Sequence, residues 1–272
     1  MKTRKKPRHG GEVFQGSEGC VFVPELKSKG SLFSKTKYPT RSGKFITKVY
    51  VSPTDLANEL KGIGLMKQID PNQQYTSTFV DISSKPDMSS IATSESCTLP
   101  LPENPPALYM YYNGVSILTL KKQGRLNPVL RQVLKGLSRL TELFTKMSRA
   151  GIIHGDIHSG NLLYNQKDTN VYLIDFTAMD KPAGLTDKSI DIKSLWDVIF
   201  AILNNYKKSV GEQSNCGIVL TQILTDIAPK IKSTKDVEVI QTFITTSIDS
   251  VLAKCFVGGK KTLRKKVHRN MH

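Results

Sequence analysis

Hydrophobic positions change rhythm along this chain. In the first part they form short blocks. Residues 44–51 (KFITKVYV) are rich in β-branched and aromatic side chains and predict a strand, and residues 14–23 form a β-like run interrupted by glycines. Residues 79–82 and 107–112 predict two more short strands. Between 44–51 and 79–82, Ser52-Pro53-Thr54-Asp55 supplies an N-cap and an acidic first turn for a helix to about Gln68, although Gly62 and Gly64 disfavour it. In the second part the apolar positions recur at three- and four-residue steps. Val129, Val133, Leu137, Leu140, Leu143, Phe144 and Met147 predict a helix over 128–150, closed by Gly151. A short strand at 170–174 and helices over 189–203, 216–232 and 236–256 follow. Residues 24–42, rich in Lys, Ser and Gly, read as a long connection. Residues 76–106, rich in Ser, Thr and Pro, read as a surface loop or insertion. Asn113-Gly114 breaks the strand pattern where a hinge would lie. The expected class is α+β: a β-rich part with one helix, then a helical part.

Composition adds a size and a setting. A chain of 272 residues with 39% hydrophobic content can bury one large core or two small lobes. No apolar run approaches the length of a membrane span, and the basic start has no apolar segment behind it, so neither a transmembrane segment nor a secretory signal is expected. Cys20, Cys97, Cys216 and Cys255 are scattered without zinc-ligand spacing. They read as reduced thiols in a cytoplasmic setting. Much of the +16 formal charge sits in residues 1–11 and 258–272. Solvated tails are the simpler reading. A grip on an acidic partner, nucleic acid or an anionic membrane face is the sharper one, without the interleaved aromatics of a base-stacking site.

The chemistry concentrates at residues 154–161 (HGDIHSGN) and 174–176 (IDF). An aspartate, an asparagine five residues on, and a short strand ending in Asp-Phe match the order used for phosphoryl transfer. Asp156 would accept the proton of an attacking hydroxyl, and Asn161 with Asp175 would hold magnesium against the phosphates. His158 would face the γ-phosphate. His154 reads as a buried scaffold hydrogen-bonded to backbone near Asp175. Asp191 reads as a helix-capping carboxylate and as a buried acceptor for the 154–161 loop, two roles that can hold together. Upstream, Gly16 and Gly19 flank a turn whose amides could approach phosphate oxygens, and Val21 would roof an adenine ring. Lys48 in the strong strand could bind the α- and β-phosphates, oriented by Glu59 on the following helix.

In this order the residues resemble the protein-kinase superfamily over about 12–205. The resemblance implies a bilobal fold with a small β-rich N-lobe (12–112) and a reduced helical C-lobe (113–257), basic tails at 1–11 and 258–272, and ATP with Mg2+ in the cleft. Met110 would be the gatekeeper, with Tyr111, Tyr112 and Asn113 as the hinge. A narrower resemblance is to the divergent serine/threonine-kinase-like proteins of large nucleocytoplasmic DNA viruses. It is carried by Gly19-Cys20-Val21-Phe22, residues 24–30, Thr47-Lys48-Val49-Tyr50, residues 69–75 and 153–157, and implies action in the host cytoplasm or from a virion. The chain departs from the kinase pattern at Phe14 for the first loop glycine, Gly155 for arginine, His158 for lysine and Thr177 for the glycine after Asp-Phe. Between Asp175 and Asp191 there is no Ala-Pro-Glu motif and little room for a peptide platform.

Three readings follow. The first is an ATP-dependent kinase acting on protein serine or threonine hydroxyls. The second is another phosphotransferase, because His-Gly-Asp with His158 is similar to the loop of aminoglycoside and choline phosphotransferases and the short segment resembles the atypical kinase-ATPase of the tRNA-modification machinery. The third is a pseudokinase scaffold, favoured by the altered glycines and opposed by the retained Lys48, Asp156, Asn161 and Asp175.

Overall fold

A computed structural model describes residues 12–16, 18–23, 26, 45–76, 79–83, 86, 88, 97–112 and 114–256. Both basic tails, most of the 24–42 connection and Asn113 lie outside the described residues. The N-terminal region is an antiparallel sheet of β1 (Glu12–Gln15), β2 (Gly19–Val23), β3 (Phe45–Tyr50), β4 (Phe79–Ser83) and β5 (Ala107–Tyr111), in the order β1-β2-β3-β5-β4. All six residues of β3 are buried, because both faces of the sheet are covered. Ile46 and Tyr50 belong to the main core, whereas Val49 packs with Cys20, Phe22, Leu26 and Ala107 in a second, outer cluster. Alternation along the strand therefore sends Lys48 to the side of Ile46 and Tyr50.

A disulfide, Cys20–Cys97, closes the outer cluster, and a second, Cys216–Cys255, lies in the helical region. No cysteine is free, which corrects the expectation of reduced thiols. Sequence separations of 77 and 39 residues hid these pairs, which only the topology brings together.

Helix α1 (Pro53–Ile69) starts as its sequence predicts, with Ser52 Oγ accepting from the Asp55 amide at 3.2 Å. Its Gly62 has a packing reason. A Cβ there would lie 2.1 Å from the Phe176 carbonyl oxygen, so only glycine allows the helix this close to the Asp-Phe segment. The turn after α1 is built on buried Asp70, whose carboxylate accepts from the Gln74 and Tyr75 amides and the Thr76 hydroxyl at 2.8–2.9 Å. The Tyr75 carbonyl in turn accepts from the Leu173 amide. The helix is thus anchored to the second region at its C-terminal end.

That region opens with β6 (Val115–Ser116) and α2 (Ile117–Lys122), continues with α3 (Leu126–Ala150), and adds β7 (Leu162–Asn165), which pairs with β6 on one side and with β8 (Asn170–Leu173) on the other. Helices α4 (Ile190–Val210), α5 (Asn215–Gln222), α6 (Ala228–Ser233) and α7 (Val237–Cys255) complete it. Helix α3 ends at Gly151 in the left-handed conformation, as read from sequence. Helix α4 runs seven residues beyond the expected 203, to a stop at Gly211, because Tyr206 and Val210 still pack on the core. The expected helix over 216–232 is α5 and α6 joined by a π-helical turn, Ile223–Ile227, that ends two residues before Pro229. No helix among the described residues is long and apolar enough to cross a membrane.

Candidate functional site

Lys48 stands on β3 directly opposite Val21 of β2 and Leu108 of β5. Its Nζ lies 2.6 Å from Glu59 Oε2 and 2.9 Å from Asp175 Oδ1. A residue of the sheet, one of α1 and one following β8 therefore meet at a single ammonium. Glu59 is fully buried and uses its other oxygen, Oε1, to accept from the Phe176 amide at 3.0 Å. Asp175 holds a left-handed backbone at φ 66°, an arrangement rare for a residue with a side chain. Burial alone would lower the Lys48 pKa, but the two carboxylates outweigh it and raise it above its ordinary value, so the ammonium stays charged. For Asp175, burial acts upward, and the Lys48 charge and the hydrogen bonds from Lys48 and Thr177 bring the pKa below its ordinary value.

The second cluster is the loop between α3 and β7. Asn161 Nδ2 donates to both the carbonyl and Oδ2 of Asp156, each at 3.0 Å. His158 accepts from the Gly160 amide through Nδ1 and brings Nε2 within 3.4 Å of Asp156 Oδ2. Half the surface of the Asp156 and His158 side chains is open to solvent. His158, expected to face a phosphate, flanks the carboxylate of Asp156. Asp191 fills the acceptor role: its oxygens accept from the backbone amides of His154 (2.6 Å) and Gly155 (3.1 Å), bracing the loop from α4. Gly155 takes φ 81°, which explains glycine where the kinase pattern has arginine.

Buried His154 joins the two clusters. Its Nε2 lies 3.1 Å from the Ile174 carbonyl, and its Nδ1 accepts from the Asp156 amide at 3.3 Å. One imidazole therefore spaces Asp156 from the residue before Asp175. Burial pushes its pKa down despite the nearby carboxylates, and the neutral ring fits the two bonds. The scaffold role read from sequence holds. The Ile174 amide also donates to the Asn161 carbonyl, closing loop and strand together.

The other expected residues sit around this centre. Met110 is buried opposite Ile46, on the Lys48 side of the sheet, and Tyr111 stacks on Phe45 on the other side. Gly16 bonds across the β1–β2 turn to Gly19. Gly19 is confined by the sheet itself, since a Cβ would meet the Val49 carbonyl at 2.0 Å. Tyr112 lines a separate cavity of about 530 Å³ with Val115, Arg125 and Tyr164; none of the catalytic or metal candidates lines it. Sequence reasoning did not assign roles to Tyr50 and Thr177. The Tyr50 ring lies under the Lys48 ammonium at 5.0 Å, and the Thr177 hydroxyl touches both Glu59 and Asp175. The only advance signal for Thr177 was its departure from glycine.

Residues 108–214 match the family described as the ABC1 atypical kinase-like domain. The fold is protein-kinase-like. The matched stretch contains Asp156, Asn161, Asp175 and Asp191, whereas Lys48 and Glu59 lie outside it and are joined to it by geometry. No curated protein matches the chain.

Whether magnesium suits this site is a question of donors. The described residues contain no cluster of three or more His, Cys, Asp or Glu that could cage a metal ion. Magnesium bound with a nucleotide needs no such cage: it takes one or two carboxylates and keeps water and phosphate oxygens. Asp175, which is partly open, and buried Asn161, whose nitrogen is used within the loop, fit that chemistry.

Proposed function

We propose that the chain is an ATP-dependent phosphotransferase whose acceptor is a hydroxyl group. The observation that carries this reading is Lys48 held by Glu59 and Asp175 while a single imidazole spaces Asp175 from the open carboxylate of Asp156. Lys48 binds the α- and β-phosphates, and Glu59 aims it. Gly16, Gly19 and Val21 cover the nucleotide, with Met110, Tyr111 and Tyr112 at the adenine end. Asn161 and Asp175 would hold magnesium, which supplies charge neutralisation as the phosphoryl group transfers. Asp156 takes the proton of the acceptor hydroxyl, and Asn161 and His158 fix the direction of its carboxylate. Asp191 and His154 keep the loop rigid, so little reorganisation is needed at the moment of transfer.

A serine or threonine side chain of a protein is the acceptor proposed first. A small-molecule hydroxyl is the second reading, favoured by one observation: residues 176–189 contain only turns and an isolated bridge, with no helix to seat a peptide. The resemblance to viral kinase-like proteins carries a proposed setting of host cytoplasm or virion. The two disulfides favour the more oxidising of these. The test is transfer of labelled γ-phosphate onto a protein pool and a metabolite pool. Wild type should label one pool. Asp156→Ala should lose about 10²- to 10⁴-fold in turnover with nucleotide affinity nearly unchanged. Equal transfer by the variant would refute Asp156 as the base.

A further inference from the structure

Two donors in this site share the same pair of acceptors. Lys48 Nζ contacts Glu59 Oε2 and Asp175 Oδ1, and Thr177 Oγ1 contacts those same two oxygens at 2.8 and 3.0 Å. A fully buried carboxylate and a partly open one this close would repel each other without something positive or hydrogen-bonding between them. Lys48 meets that need in the free protein. When Lys48 turns toward a phosphate, its hold on the pair weakens. A hydroxyl carries one hydrogen, which can be shared between the two oxygens. Unlike an ammonium, it carries no charge that would draw it strongly toward a phosphate.

We infer that Thr177 is a positioning residue: a second, permanent bridge that keeps Glu59 of α1 beside Asp175 whether or not Lys48 is engaged elsewhere. Two neighbouring contacts make the bridge part of a latch. The Phe176 amide donates to the other oxygen of Glu59, and Gly62 admits the Phe176 backbone against α1. Residues 176 and 177 are thereby held to the helix by three contacts, two on Glu59 and one at Gly62. A glycine at 177 would leave this segment free to swing. Threonine removes that freedom, so the phosphate-binding apparatus is assembled in the resting protein and needs no modification of the following segment to form. Gly155 agrees with this, since the position before Asp156 carries no side chain to grip a modified residue.

The inference rests on the phosphotransferase reading for its purpose, but the latch can be measured without it. Amide hydrogen exchange across α1 should be followed in the ligand-free protein for wild type, Thr177→Val and Thr177→Ser. Valine keeps the shape and removes the hydroxyl, whereas serine restores it. Exchange in the 57–66 stretch should rise about tenfold in the valine variant and return to within about twofold of wild type in the serine variant, the scale expected for one hydrogen bond to a charged group. Nucleotide affinity measured with and without magnesium should show a larger loss for valine in the presence of the metal. Unchanged exchange in Thr177→Val overturns the latch. Equal increases in the valine and serine variants also overturn it, because shape rather than the hydroxyl would then matter. If Thr177→Val does not fold, Thr177→Ala takes its place under the same criteria. Failure of wild type to bind nucleotide at all would remove the phosphotransferase reading, and the exchange data would still decide the latch.

Discussion

His154 shows how one side chain can set both spacing and pH response. Its Nδ1 must stay unprotonated to accept from Asp156, and burial keeps it so. The folded pKa lies below the ordinary value of 6.5. The unfolded chain therefore binds a proton as pH falls through about 6.5, while the folded chain resists. Stability from this group is complete above that point and is lost as pH falls through the folded value. Asp175 acts with the same sign in a lower window, beginning near 3.8. Urea midpoints measured from pH 8 to pH 5 should fall for wild type, and the slope should largely vanish in His154→Asn. A slope of equal size in that variant would assign the effect to other groups. The residues best read from sequence were those whose neighbours in the chain define them: Asp156 and Asn161 share one loop and hydrogen-bond across five residues. Thr177 was opaque because its partner Glu59 is 118 residues away.

At the scale of elements, α1 carries the burden of alignment. It presents Glu59 to Lys48 and Phe176, is anchored at its C-terminal end through Asp70 and Tyr75 to β8, and meets the Asp-Phe segment at Gly62. Gly62→Ala should destabilise the protein by about 1–3 kcal/mol through overpacking against backbone, read as a lower denaturant midpoint. Gly64→Ala should be neutral or slightly stabilising, because a Cβ there meets nothing within 4 Å. Similar losses at both positions would mean that helix propensity, not close approach, governs α1. Sequence propensity counted both glycines against the helix and could not separate them, since the difference lies in a contact made from 114 residues away. Long periodic helices such as α3 were legible. The two-residue β6 and six-residue α2 were too short to show a period, and the π-helical turn follows from packing and Pro229 rather than from pattern.

At the scale of the molecule, the two disulfides tie together parts far apart in sequence. Cys20–Cys97 fastens the segment before β5 onto the outer face of the sheet, and Cys216–Cys255 joins α5 to the end of α7. Closing loops of these lengths stabilises a chain by roughly 3–5 kcal/mol in the chain-entropy account. Reduction should lower the melting temperature, and alkylation of the unreduced, unfolded protein should label no cysteine. Labelling of all four would show that the pairs do not form. The order of a sheet region followed by a helical region was visible early because the spacing of hydrophobic positions changes between them. The covering of the outer sheet face was not visible, since it depends on which loop folds back onto β2.

The account depends on Lys48, Asp156, Asn161 and Asp175 converging on one metal-bound nucleotide. The most direct measurement is the melting temperature during titration with ATP, with and without magnesium, for wild type and Asp175→Ala. Ligand at a hundred times its dissociation constant adds about 2.7 kcal/mol to the folded state. Wild type should therefore show a clear rise with both components present and a smaller one with ATP alone, and Asp175→Ala should lose the magnesium-dependent part. No rise in wild type, or the same magnesium-dependent rise in Asp175→Ala, would contradict the account.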